Sequence, residues 1–205
     1  MSLTEFWLAA WDALGLRGSD RMHEALLRRY AEPHRAYHNL QHISECEQLF
    51  AAARHLCSRP GEVAVAIWFH DAVYDTHAAD NEQRSAELAS IALRDAGAIA
   101  EVSSRVQALI LTTSHSAPPE TGDEAVLVDI DLAILGSGSE RFQQYETQIR
   151  QEYSWVPETT FREKRREVLL RFADRPSIYS TAFFQQRFEQ NARENLARAI
   201  AALMA

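Results

Sequence analysis

The stretch GEVAVAIWFHDAVY, residues 61–74, decides the fold. Its centre, VAVAIWF at 63–69, is apolar on every side. A helix of that kind has no solvent face and belongs in the middle of other elements. Its β-branched residues would also suit a buried strand. The flanking segments carry helical spacing, however, and no hairpin signal follows, so the stretch reads as a central helix. It ends in the adjacent pair His70 and Asp71. A carboxylate at the end of so apolar a helix is costly unless paired or bound to a cation. Imidazole nitrogen and carboxylate oxygen are both good ligands for divalent metals, which gives this polar pair a reason to be there.

Helices are expected on both sides. TEFWLAAWDALGL is closed by Gly15 and Gly18, and SDRMHEALLRRYAE starts on a Ser-Asp cap and stops before Pro33. A third helix should begin near Tyr37 and run to Pro60. After the polar loop DTHAADN come NEQRSAELASIALRDAG and AEVSSRVQALILTTSH, then the loop SAPPETG. The chain continues with DEAVLVDIDLAILG, SERFQQYETQIRQEYSW, ETTFREKRREVLLRFAD and the closing STAFFQQRFEQNARENLARAIAALMA. There is no repeat and no linker-like tract. The expectation is an all-α, single-domain bundle over residues 1–205.

The totals agree. The 205 residues are 46% hydrophobic and 24% charged, with only 7 glycines and 6 prolines, a composition rich in helix formers. A net charge of −8 argues against binding a nucleic-acid duplex. The first residues carry acids and no basic region, so no secretory signal is expected, and the longest apolar run is too short to span a bilayer. The expected location is the cytoplasm, with no membrane partner. Cys46 and Cys57 lack metal-site spacing and read as small buried hydrophobes. The run REKRRE, 162–167, reads as a solvated face, the alternative being one arginine turned inward toward an anionic ligand. Trp7, Trp11, Trp68 and Trp155 are expected in the core. His23, His34, His55 and His77 are expected at the surface.

A second motif precedes the His-Asp pair. YHNLQHI, 37–43, sets His38 and His42 at i and i+4, one above the other on a helix face. A zinc-peptidase reading fails because Asn39, not Glu, follows the first histidine. Further on, DIDLAILG at 129–136 offers Asp129 and Asp131.

The order His, His-Asp, Asp resembles the signature of the HD superfamily of metal-dependent phosphohydrolases, an all-α fold. YHNLQH is also similar to the YHNxxH of cyclic-nucleotide phosphodiesterases, which share that fold core. Over nearly its full length the chain resembles a bacterial group described as predicted metal-dependent HD-superfamily phosphohydrolases. EPHRAYHNLQHI, FHDAVYD, NEQRSAELA, DIDLAILG and RPSIYSTAFFQQRFEQNARENLA carry the match. The chain is much shorter than the phosphodiesterases and has no counterpart of their glutamine and aromatic purine clamp.

The resemblance implies that His42, His70, Asp71 and Asp131 bind a divalent ion (Mn, Mg, Fe, Co or Zn), with Asp129 the fallback for Asp131. It makes His38 the general acid. The implied activity is hydrolysis of a phosphoester or phosphoanhydride in a small phosphorylated metabolite or nucleotide. Arg35, three residues before His38, is placed to neutralise phosphoryl oxygens. Asp75 or Glu82 would orient the attacking water; otherwise Asp75 is a turn residue and Glu82 suits a helix N-terminus. His115 is read equally as a helix cap and as a phosphate or second-metal contact. A non-catalytic metal- or ligand-binding domain with a regulatory role is the alternative. A homodimer is compatible with either.

Overall fold

The computed structural model describes residues 1–120 and 122–204. Thr121, in the expected loop SAPPETG, and Ala205, the last residue of the expected closing helix, therefore lie outside the described residues. The chain is all-α: among the described residues there are ten α-helices and no strand. They are α1 (Leu3–Asp12), α2 (Asp20–Arg29), α3 (Leu40–Ala53), α4 (Pro60–Phe69) and α5 (Asn81–Asp95). There follow α6 (Ala100–Thr112), α7 (Gly122–Leu132), α8 (Ser139–Glu152), α9 (Glu158–Ala173) and α10 (Ala182–Met204), with short 3-10 turns after α3 and α7. No helix among the described residues is long and apolar enough to cross a membrane.

Residue contacts divide the chain into two compact units, Met1–Ile130 and the part from Asp131 onward. The cut falls inside α7, where a continuous helix offers no linker to read.

The first unit is built around α4, which packs on α1, α3, α5 and α6. Every residue from Val63 to Phe69 is buried, as an all-apolar helix requires. Phe6 and Trp7 of α1 bring their rings to 5.9 Å and 5.5 Å from that of Trp68. Each such buried side chain contributes about 1.5–3 kcal/mol of hydrophobic stabilisation. The entry to α4 is fixed by α7: the Asp123 carboxylate accepts the Ser58 and Arg59 amides at 2.7 Å and 3.0 Å. Glu62, buried in the first turn, accepts a forked pair of bonds from Arg105 of α6 at 2.8 Å and 2.5 Å. Both ties hold α4 at a fixed depth, and so fix where its C-terminal end comes out.

Three burial expectations change, the first being Cys57, which is half-buried. His23 is buried, stacked on Trp7 at 5.2 Å and edge-on to Trp68 at 5.4 Å. Its Nε2 has no hydrogen-bond partner. A lone histidine on an apolar stripe of α2 had joined the core rather than the solvent face. Trp155 is the reverse: it is half exposed, in the turn after α8.

In the second unit the 3-10 turn at Ala133–Gly136 packs on α10. Asn195 donates to the Leu135 and Ser137 carbonyls at 2.8 Å and 2.9 Å, and the Tyr179 hydroxyl donates to Leu132 at 3.1 Å. The run 162–167 is not wholly solvated. Arg165 turns inward and pairs with Glu146, and its guanidinium lies 5.0 Å from the centre of the Tyr145 ring. Arg162 caps the end of α10 through the Leu203 carbonyl at 2.9 Å.

Candidate metal centre

α4 ends at Phe69, and His70 is its C-cap residue. The His70 Nδ1 lies 2.9 Å from the Ile67 carbonyl oxygen. A carbonyl only accepts, so Nδ1 carries a proton, and in the neutral ring Nε2 is the acceptor nitrogen; a protonated ring donates from Nε2 as well. That Nε2 faces His42 Nε2 at 3.0 Å and Asp71 Oδ2 at 3.1 Å. His42 Nε2 is 3.5 Å from the same carboxylate oxygen. Three electron-rich atoms this close repel unless a positive charge lies among them, either a cation or protons. With metal–ligand bonds of about 2.1 Å, neighbouring ligand atoms stand about 3.0 Å apart at right angles and about 3.4 Å apart in a tetrahedron. The donor set therefore fits a divalent ion in both chemistry and spacing.

Asp131 joins it. One ligand atom each from His42, His70 and Asp131 lie within 4.8 Å of one another, and this group can hold a metal ion. α7 runs unbroken through Leu132, so Asp131 stands one helical step beyond Ile130 of the first unit. Asp129 is fully buried. Two residues earlier on a helix, it diverges from Asp131 by about 200°.

Burial pushes the Asp71 carboxyl up. The neighbouring charges of His70 and His38, the His70 hydrogen bond and His42 outweigh it and hold the group well below the usual carboxylate range. Cys46, one turn after His42, brings its Sγ to 3.7 Å from His42 Nε2.

His38 is not on the helix predicted for it. α3 starts at Leu40, and Asn39 is its N-cap, accepting the Gln41 amide at 2.8 Å. His38 therefore precedes the helix and does not share a face with His42. The cap was legible as an Asn before an apolar periodic run, and the helical histidine spacing obscured it. The His38 ring stacks on Tyr74 at 4.2 Å and 27°, and its centre is 6.0 Å from that of His42. Tyr74 was not singled out in the sequence.

The other candidates are placed as follows. Arg35 is buried, and its guanidinium donates to Glu32, to the backbone carbonyls of His38 and Asp71, and to that of Ala72. Asp75 is exposed in a local turn, where it accepts the His77 amide at 2.9 Å. That bond lowers its carboxyl below the ordinary value. Glu82 is half-buried in the first turn of α5. His115 is half-buried just beyond α6 with φ 54°, the left-handed conformation common after a helix end.

Around Asp131, in the second unit, burial pushes the Tyr145 phenol up. Arg165, which hydrogen-bonds it, pulls it down, while Glu146 and Asp131 raise it further. Comparison with models of known families, with curated proteins and with solved structures finds no match.

Proposed function

We propose that this chain is a metal-dependent phosphohydrolase of the HD superfamily, acting on a small phosphorylated metabolite or nucleotide. The observation that carries the proposal is the convergence of His42 Nε2, His70 Nε2 and Asp71 Oδ2 within 3.0–3.5 Å. Asp131 is close enough to add a ligand.

Two imidazoles and two carboxylates suit Mn, Fe, Co or Zn, and less well Mg, which prefers oxygen. When bound, such an ion supplies Lewis acidity toward water and a phosphoryl oxygen at neutral pH. The chain's own residues do the rest. Ile67 fixes the His70 tautomer so that Nε2 faces the centre. Asp71 stays ionised and balances the charge. His38, held flat against Tyr74, donates a proton to the departing oxygen. Orienting the attacking water falls to Glu82 or Asp75.

The test is hydrolysis of a panel of phosphate esters and nucleotides by protein loaded with Mn²⁺, Fe²⁺, Co²⁺, Zn²⁺ or Mg²⁺. Turnover by the wild type, lost together with metal in Asp71→Ala, supports the proposal. A fully loaded protein that leaves the whole panel untouched would sink it in favour of a regulatory metal-binding domain.

A further inference from the structure

The segment Arg29–Arg35 does something that its sequence does not advertise. Four of its side chains bind backbone carbonyls at and just beyond the end of α4. The Tyr30 hydroxyl donates to Trp68 at 3.0 Å and Arg29 to Ala72 at 3.4 Å. Arg35 donates to Asp71 at 2.6 Å and to Ala72 at 3.2 Å, and His34 to Tyr74 at 3.0 Å. A helix end leaves carbonyls without partners, and the irregular residues beyond it have no ladder to fix them. Here they are capped from another part of the chain.

Arg35 holds the central place. Its side chain is 1% exposed, and its guanidinium lies over the Tyr30 and Tyr74 rings at 5.3 Å and 5.5 Å. The same Nη1 that binds the Asp71 carbonyl also reaches the His38 carbonyl at 3.3 Å. One planar cation therefore spans the turn carrying His38 and the turn carrying Asp71. With its donors directed at the protein, little is left for a substrate phosphate.

Resting on the metal-site reading above, we propose that Arg35 is a positioning residue. It ties the His38 turn, which leads into α3 and its ligand His42, to the His70-Asp71 turn and so sets the spacing of the ligands, rather than contacting substrate. Tyr74, carbonyl-bound by His34 and stacked on His38, extends the same tie.

The experiment is Mn²⁺ titration by calorimetry of metal-free wild type, Arg35→Ala and Arg35→Lys. Each is measured well below its own melting temperature, with helical content checked by circular dichroism. Removing an outer partner of a metal ligand lowers affinity about 10–100-fold, and that is the loss expected for Arg35→Ala. Free guanidinium at non-denaturing concentration should restore part of it. Lysine keeps the charge but not the planar fork, so Arg35→Lys should stay weakened. It is also the deciding variant if Arg35→Ala does not fold. Wild-type affinity in a folded Arg35 variant overturns the positioning role while leaving the metal site intact. Absence of Mn²⁺ binding by the wild type itself overturns the metal site and, with it, this inference.

Discussion

The Nε2 atoms of His42 and His70 face each other at 3.0 Å, and the Asp71 carboxylate lies within 3.1 Å of the second. His70 reaches this position because α4 ends at Phe69 and its own Nδ1 is held by Ile67. An apolar central helix thus delivers a fixed imidazole to its end, and the next residue supplies the anion. Removing that anion has a defined consequence. In Asp71→Ala the thermal stabilisation given by Mn²⁺ should vanish. In the wild type it should approach about 2.7 kcal/mol at a hundredfold excess over Kd. Melting curves with and without the ion measure both.

Metal binding should fall with pH. The imidazoles of His42 and His70 must be unprotonated to act as ligands, whereas Asp71 is held ionised well below the usual carboxylate range. Loss on acidification therefore follows the histidines, and the metal should leave below about pH 6. Equilibrium dialysis against pH, with circular dichroism confirming that the chain is still folded, tests this. Metal retained at much lower pH would contradict the ligand set.

Much of this was legible in sequence. The hydrophobic periods and the glycine and proline stops located the ten helices of the described residues, but not every boundary: α3 starts at Leu40, where Asn39 caps it, and not near Tyr37. His70 and Asp71 announced themselves as polar residues at the end of VAVAIWF. What was not legible depends on tertiary partners. Arg35 looks the same in sequence whether it faces phosphate or backbone carbonyls. Arg165 hides in a charged run, and only its packing on Tyr145 reveals it. The division inside α7 has no compositional mark.

His23 should make the metal-free protein acid-sensitive. Burial lowers its pKa below the ordinary 6.5, against the opposing pull of Asp20 and Glu24. Between the two values the unfolded chain binds the proton more readily, so stability rises with pH across that window and is lost as pH falls below about 6.5. In His23→Phe the slope of unfolding free energy against pH should flatten there. An unchanged slope in urea titrations at several pH values would assign the sensitivity elsewhere.

Gly136 has no room for a side chain. A Cβ there would meet Phe188 Cβ and its carbonyl oxygen at 2.6 Å, and the Tyr179 hydroxyl at 2.9 Å. Backbone cannot yield cheaply, so Gly136→Ala should destabilise by about 1–3 kcal/mol. Each kcal/mol lowers Tm by about 2–4 °C in a chain of this size. Calorimetry should show the drop; Gly138→Ala, where nothing lies within 4 Å, serves as the control.

The most direct measurement is anomalous diffraction from crystals of the protein loaded with Mn²⁺ or Zn²⁺. One strong peak bonded to His42 Nε2, His70 Nε2 and the Asp71 carboxylate, with Asp131 completing the protein ligands, is the predicted result. A metal bound elsewhere, or no metal shared by the two histidines, would contradict it.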